Sequence, residues 1–137
     1  MTNPSDLLDH ISLHDSVVNS VVWDSSNGEL RLRVELGNYN QVGYDASKDP
    51  EIIEGTLAFY GVSDLRYEPE EAFTIWNQQI DGEIVETTAE SDGARGARLR
   101  ILIVVIEYGS NRSTPYIFEF TTTGADWTPD PSPAGAG

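Results

Sequence analysis

The two histidines are the first residues to test for chemistry, because imidazole serves as a metal ligand and as a general base. His10 and His14 are four positions apart, which would place both rings on one helix face with Asp9 or Asp15 beside them. A zinc site needs three or four ligands, and the chain has no cysteine and no third histidine. The predicted helix also ends before His14, which breaks this register. We therefore expect no metal site, and a structural turn formed by His14, Asp15 and Ser16 before the first strand.

Carboxylates are the most numerous reactive groups, since the chain has 23 Asp and Glu residues. Acid–base chemistry of the glycosidase kind needs two of them facing one cleft about 5 to 9 Å apart, and no spacing in this sequence distinguishes such a pair. There is no Gly-x-Ser-x-Gly turn, and the stretch from Gly93 to Gly96 lacks the ending of a phosphate-binding loop. The sequence therefore predicts a protein that is not an enzyme and uses no cofactor.

The charge balance of the chain bears on its partners. The net charge is −15, and residues 41–92 hold 13 acids against Lys48 and Arg66, whereas residues 93–137 are neutral. Nucleic acid binding is disfavoured, because it needs clustered Lys and Arg to neutralise phosphates. An acidic surface attracts a basic protein or a cation, although such a surface also serves simply to keep a domain soluble.

We predict a binding surface in this acidic middle segment. Its carboxylates would steer a basic protein partner, and Tyr67 and an exposed Trp76 would anchor that partner. The predicted binding residues are Glu51, Glu54, Asp64, Tyr67, Glu68, Glu70, Glu71, Trp76, Asp81, Glu83 and Glu86. Two alternatives stay open here: a β-barrel that holds a small apolar ligand, and a structural or assembly role. In the second, the strand from Leu30 to Leu36 would be an unpaired edge that makes a dimer.

The elements that position these residues are mostly β-strands. One short amphipathic helix is predicted from Ser5 to Leu13, with Ser5 as its N-cap. Residues 16–23 are rich in β-branched side chains, and residues 29–36 alternate strictly between apolar and charged. These two runs predict a hairpin. A long connection follows, in which a short strand is expected at residues 40–44.

Further strands are predicted along the rest of the chain. Residues 56–62, 72–76 and 82–88 have β-rich composition, and residues 115–121 alternate. Residues 99–106 form an almost continuous apolar run, which is typical of a strand buried on both faces or lying in the middle of a sheet. The pattern predicts a mainly β fold, an antiparallel β-sandwich or a partly open β-barrel of about seven strands with one short N-terminal helix.

The length of 137 residues is that of one domain. We place a single β-rich domain at residues 1–127 and expect the Pro, Gly and Ala-rich residues 128–137 to form a disordered tail. No apolar run is long enough to span a membrane, and the first residues lack the basic and apolar regions of a signal peptide. We therefore expect a cytoplasmic protein. Monomer and dimer are equally compatible with the sequence.

Three short motifs carry a family resemblance. A Leu-His-Asp-Ser turn lies at Leu13 to Ser16, the alternating strand of residues 29–36 follows, and a later strand runs from Leu57 to Val62. With these motifs the chain resembles, loosely over residues 13–120, a broad group of small bacterial β-rich domains. Many of them are uncharacterised, and some are similar to immunity proteins that accompany secreted polymorphic toxins. The resemblance implies a small cytosolic binding protein without catalytic residues, and the acidic segment is compatible with an inhibitor of a basic toxin such as a nuclease.

Overall fold

The computed structural model describes residues 2–74, 76, 80–91, 96–107 and 112–131. Within these residues the chain forms one α-helix, eight β-strands and two short 3-10 helices at Asn38–Asn40 and Glu70–Phe73. The helix and strands, in chain order, are α1 (Pro4–His10), β1 (Val17–Asp24), β2 (Glu29–Gly37), β3 (Ile52–Tyr60), β4 (Ser63–Glu68), β5 (Ile80–Ser91), β6 (Ala97–Glu107), β7 (Arg112–Thr122) and β8 (Gly124–Pro129).

The eight strands form one antiparallel sheet in the spatial order β4, β7, β6, β5, β1, β2, β3, β8. The two halves of the sheet meet at a narrow junction, the seam, where β1 pairs with β5 only through Val17 and Val18. The inner faces of the two halves pack together, since the rings of Phe59 in β3 and Phe120 in β7 have centroids 5.0 Å apart. The predicted mainly β, antiparallel fold is thus confirmed as an open sheet folded into two layers.

The hydrophobic core lies between these layers and is built by alternation along the strands. In β6 every second side chain is fully buried, whereas the outward Ile106 is 45 % exposed. This apolar run is therefore a strand in the middle of the sheet, as one of the two predictions had it. The other prediction, burial on both faces, is wrong. Full burial of each large apolar side chain contributes roughly 1.5–3 kcal/mol. The largest of these buried side chains are Tyr116, Phe59, Phe118, Phe120, Leu30, Leu32 and Leu57.

The N-terminal helix begins and ends earlier than predicted. Asn3, and not Ser5, is the N-cap, and its side-chain oxygen accepts from the backbone N–H groups of Ser5 and Asp6 at 2.9 and 3.3 Å. Pro4 then occupies the first turn, where its missing N–H costs no hydrogen bond. The helix ends at His10. The buried side chain of Leu7 packs the helix against the core.

Two predicted strands are helical turns instead. The expected strand at residues 40–44 is replaced by the 3-10 helix at Asn38–Asn40 and a turn. There the side chain of Gln41 donates to the backbone oxygens of Ser12 and Gly37 at 2.7 and 2.9 Å. The expected strand at residues 72–76 is replaced by the 3-10 helix at Glu70–Phe73. In both places polar or proline-containing turn sequence prevails over a short stretch of β-favouring residues.

Trp76 is buried, which corrects the prediction that it is exposed. Its side chain is 8 % exposed, its indole N–H donates to the carbonyl oxygen of Ala72 at 2.7 Å, and its ring packs edge-on against Tyr116. The adjacent helical turn folds the tryptophan back over the core, because a large apolar ring gains more from burial than from contact with water. Trp76 is therefore a core residue and not a surface anchor.

β2 is an internal strand, which overturns the expectation of an unpaired edge from Leu30 to Leu36. It pairs with β1 on one side and with β3 on the other, so that Leu30 lies opposite both Trp23 and Phe59. The edge strands of the sheet are β4 and β8. The alternation in β2 describes which face is buried, and it carries no information about its neighbours.

Ordered structure continues beyond residue 127. β8 reaches Pro129, the backbone N–H of Asp130 donates to the carbonyl oxygen of Glu54 at 2.8 Å, and the carboxylate of Asp130 pairs with Arg33 at 2.6 Å. The remainder of the expected tail, residues 132–137, lies outside the described residues. Among the described helices, none has the length and apolar character needed to cross a membrane.

Candidate binding surface

A β-bulge in β1 creates the most distinctive polar arrangement of the described chain. The β1–β2 register shifts between Val18 and Ser20, which leaves Asn19 as the extra residue. The side-chain amide of Asn19 donates to the carboxylate of Glu35 in β2 at 3.1 Å and to that of Asp81 in β5 at 3.0 Å. One amide therefore holds carboxylates from two strands together on the outer face at the seam.

These two carboxylates line a small surface cavity, which we call the seam recess. It has a volume of about 260 Å³ and is lined by Val17, Glu35, Asp81, Gly82, Glu83 and Ile106. Three of the six lining residues are acidic, and the side chains of Val17 and Ile106 supply apolar walls. An acidic opening with apolar walls suits a Lys or Arg side chain, whose methylene stem packs on apolar surface while its charged end meets carboxylates.

Glu83 has the most perturbed environment in the recess. Burial raises the pKa of its carboxyl group, and a hydrogen bond and the negative charge of Asp15 raise it further, while His14 acts in the opposite direction. Asp15 has a left-handed backbone with φ of 63° and is held in place because its N–H donates to the carbonyl oxygen of Ile84 at 3.2 Å. His14 Nε2 lies 3.3 Å from Asp15 Oδ1. Glu83 therefore belongs to a chain of titratable groups at the seam.

The recess carboxylates differ from the other acids in their neighbours. Within the described residues, neither Glu35 nor Glu83 has a Lys or Arg nitrogen within 4.0 Å. Glu54 lies opposite Glu35 in the β2–β3 register and adds a further negative charge. Neither Glu35 nor Glu83 therefore forms a direct ion pair with a described Lys or Arg, and both charges remain on the surface.

The structure brings together only part of the predicted acidic set. Asp81 and Glu83 line the recess, and Glu54 lies on β3 opposite Glu35. Glu86 lies 3.7 Å from Arg100, and Asp64 lies 3.3 Å from Arg98 and 3.5 Å from Arg66. The others lie away from the recess: exposed Glu51 precedes β3, Glu68 ends β4, and Glu70 and Glu71 begin the second 3-10 helix.

Tyr67, the other predicted anchor, is 42 % exposed and packs edge-on against Phe73, with ring centroids 4.7 Å apart. It lies on edge strand β4, which is separated from β5 by β7 and β6. Neither predicted aromatic anchor is therefore an exposed side chain at the seam recess: Trp76 is buried, and Tyr67 lies on a distant strand. The apolar contacts at the recess come from aliphatic Val17 and Ile106.

Sequence reasoning missed Asn19, Glu35, Val17, Ile106 and Asp15 as parts of the surface. The available signal was Asn19, a polar residue that interrupts a run of β-branched residues, where a bulge is a natural explanation. Glu35 could also be placed on the outer face from the alternation of β2. Neither pattern indicates that β5 lies alongside β1.

The histidines take local roles in the structure. His10 Nδ1 lies 2.7 Å from the carbonyl oxygen of Asp6, one turn earlier in α1. His14 and Asp15 form a turn, and the N–H of Ser16 closes it on the carbonyl oxygen of Leu13 at 3.0 Å. Ser16 is fully buried, and its hydroxyl accepts from the N–H of Gly37 at 3.2 Å. In the part of the chain that the structure describes, no three ligating side chains are arranged to hold a metal ion.

Comparison of this chain with protein-family models, curated proteins and solved structures finds no match. The resemblance to bacterial immunity proteins through the Leu13 to Ser16 turn therefore stays a prediction.

Proposed function

We propose that the chain is a non-catalytic domain that binds a basic segment of a protein partner at the seam recess. The observation that carries the proposal is the placement of Glu35, Asp81 and Glu83 around one small cavity with apolar walls. The alternative use of these carboxylates as an acid–base pair has less support, because the Asn19 amide already binds two of them.

A Lys or Arg side chain of the partner would enter the recess along Ile106 and Val17. Its aliphatic stem would cover these apolar groups, and its charged end would reach the carboxylates of Glu35 and Glu83. The net charge of −15 would attract a cationic partner from a distance and raise the association rate at low salt. Steering and local recognition would then act on the same partner.

The partner class that fits this chemistry is a cationic protein. An immunity-type inhibitor that neutralises a basic toxin in the cytoplasm is one such function, and it is the one that the Leu13 to Ser16 resemblance implies. A barrel that holds an apolar ligand has weaker support, because large side chains such as Tyr116, Phe118 and Phe120 occupy the space between the layers.

The proposal is tested with hexalysine as a minimal basic probe and titration calorimetry as the readout. The double variant Glu35→Gln, Glu83→Gln should weaken binding roughly tenfold or more, equivalent to about 1.4 kcal/mol. The matched control is Glu68→Gln, Glu70→Gln, which removes the same charge from exposed acids outside the recess. The control should lose no more than about threefold, because it alters only the long-range field.

Equal losses in the two double variants would contradict the proposal, since they would show that net charge alone determines binding. Both variants should keep the fold, because Glu68 and Glu70 are exposed, Glu35 and Glu83 are only partly buried, and glutamine preserves the shape of the side chain. Urea denaturation of each variant checks this.

A further inference from the structure

β5 is paired along only part of one side. On its other side it pairs with β6 over its whole length, from Ile80 to Ser91. Toward β1 it pairs through Gly82 and Glu83, and Ile84 exchanges backbone hydrogen bonds with Asp15 and Ser16. From Val85 onward, no residue of β1 lies beside β5. In the described chain, residues 85–91 therefore have a strand neighbour on one side only.

A cavity of about 320 Å³ lies beside the start of this open edge. Residues 84–87 of β5 form one wall, and residues 8–14, the end of α1 and its connection to β1, form the opposite wall. The connection does not pair with β5 at Ser12, because the side chain of Gln41 binds both the N–H and the carbonyl oxygen of that residue at 2.9 and 2.7 Å. Space and an unpaired strand edge therefore occur together.

The side chains around this cavity are of two kinds. Val85, the extra residue of a second bulge, is 36 % exposed, and Val42 on the facing loop is fully exposed. Asp9 and Glu86 also line the cavity and are acidic. A segment that binds here would meet both apolar contacts and negative charge.

We propose that residues 85–91 of β5 receive an extended segment of the partner as an added β-strand, in which apolar and basic residues alternate. The inference rests on the proposed function, because it uses the same cationic partner. Adjacent strands lie about 4.8 Å apart, and alternate residues of an edge strand present unpaired N–H and carbonyl groups for such pairing. Basic side chains of the added strand would face Asp9 and Glu90, which are exposed.

The other two edges are less suited to strand addition. β8 is bridged at Ala125 by Thr2 and ends in Pro129, which has no N–H to donate. β4 carries Asp64, Arg66 and Glu68 in six residues and has a register shift, features that protect edges against pairing. The open stretch of β5 contains the β-branched residues Val85, Thr87 and Thr88, which favour an extended backbone.

The test uses the synthetic peptide Lys-Val-Lys-Val-Lys-Val-Lys, blocked at both ends, with the intact ¹⁵N-labelled chain. Hydrogen exchange of the backbone amides, followed by NMR, should slow at least about tenfold at alternate residues of 85–91 when the peptide binds. A peptide of the same sequence that is N-methylated at every residue keeps the charges and loses the N–H groups of both edges. It should give no such protection.

The outcomes separate this inference from the proposed function. If both peptides bind at the recess and neither protects residues 85–91, strand addition is wrong and the recess proposal stands. If neither peptide shifts signals at either place, both proposals fail. If the Glu-Val version of the peptide protects β5 equally, the preference for basic segments is overturned. Protection by the unmethylated Lys-Val peptide alone supports the inference.

Discussion

Two regions on the outer face of the sheet hold carboxylates in opposite settings. On β6 and β7, Glu119 lies 3.7 Å from Arg98 and 3.4 Å from Arg100, and Asp64 and Glu86 contact the same two arginines. We call this group the arginine ladder. At the seam, Glu35 and Glu83 have no Lys or Arg within 4.0 Å in the described chain.

The difference shows that acidity alone does not identify a binding surface. Carboxylates in the arginine ladder have partners, so each pair contributes up to about 1 kcal/mol to stability and its field largely cancels. Glu35 and Glu83 at the seam have no such partner among the described residues, so their charges remain available to an external cation. The carboxylates of the arginine ladder therefore contribute to stability, whereas Glu35 and Glu83 are the candidates for binding.

The largest expected effect concerns what lies beneath the seam. Trp76 packs under Gly82, since a Cβ added at that glycine would lie 3.3 Å from the indole ring. Trp76→Ala should lower the free energy of unfolding by about 3–5 kcal/mol, because it leaves a large cavity in the core. Urea denaturation measures this loss, and the half-exposed Tyr67→Ala serves as the control with a loss below about 2 kcal/mol. Equal effects at both positions would contradict the buried placement of Trp76.

A smaller pair of effects tests the two charge settings by their sign. At neutral pH, Glu119→Gln should lower the free energy of unfolding by up to about 1 kcal/mol, because it removes contacts with two arginines. Glu83→Gln should instead raise it, because it removes a charge that burial and Asp15 disfavour. Chemical denaturation of both variants side by side gives the comparison. Changes in the same direction would remove the distinction between the seam and the ladder.

The pH dependence sharpens the same contrast. The folded-state pKa of Glu83 is raised above its ordinary value of 4.5, so its contribution to stability is present at lower pH and is lost as the pH rises through the raised pKa. The free energy of unfolding of wild type should therefore decrease relative to that of Glu83→Gln as the pH increases from about 4 to 7. A difference in stability that stays constant over this range would contradict the account.

Asp130 should behave in the opposite way. Its hydrogen bonds with Arg33 lower the pKa of its carboxyl group below the ordinary 3.8, so its contribution is present above that value and is lost as the pH falls through the lowered pKa. Asp130→Asn should thus be less stable than wild type at neutral pH, and the two stabilities should become equal in acid. Thermal unfolding over a pH series measures this, and divergence in acid would contradict the assignment.

Much of the fold follows from local pattern. The alternation of β2 predicts its buried face correctly, because side chains of a strand point to opposite faces in turn. The strand predicted at residues 72–76 fails because its β-rich composition is the only signal, while the preceding Pro69-Glu70-Glu71 favours a helical turn. The composition of five residues is too little to distinguish the two.

The candidate site is beyond local pattern. Asn19 and Asp81 are 62 positions apart in the sequence, and only the pairing of β1 with β5 brings them to 3.0 Å. The sequence places Glu83 in the acidic segment but contains no signal that separates it from Asp64 or Glu86, each of which contacts an arginine. That separation depends on which arginine lies across the sheet, a non-local property of strand order.

The most direct test of the account maps where a simple cation binds. The ¹⁵N-labelled chain is titrated with hexalysine at about 20 mM salt and again at about 500 mM, where charge interactions are screened. The account predicts low-salt shifts concentrated at the amides of Val17, Asn19, Glu35, Gly82 and Ile106, and their loss at high salt. Shifts of equal size at Asp64, Glu68 and Glu119, or spread over all the acidic residues, would contradict the claim that the seam is the binding surface.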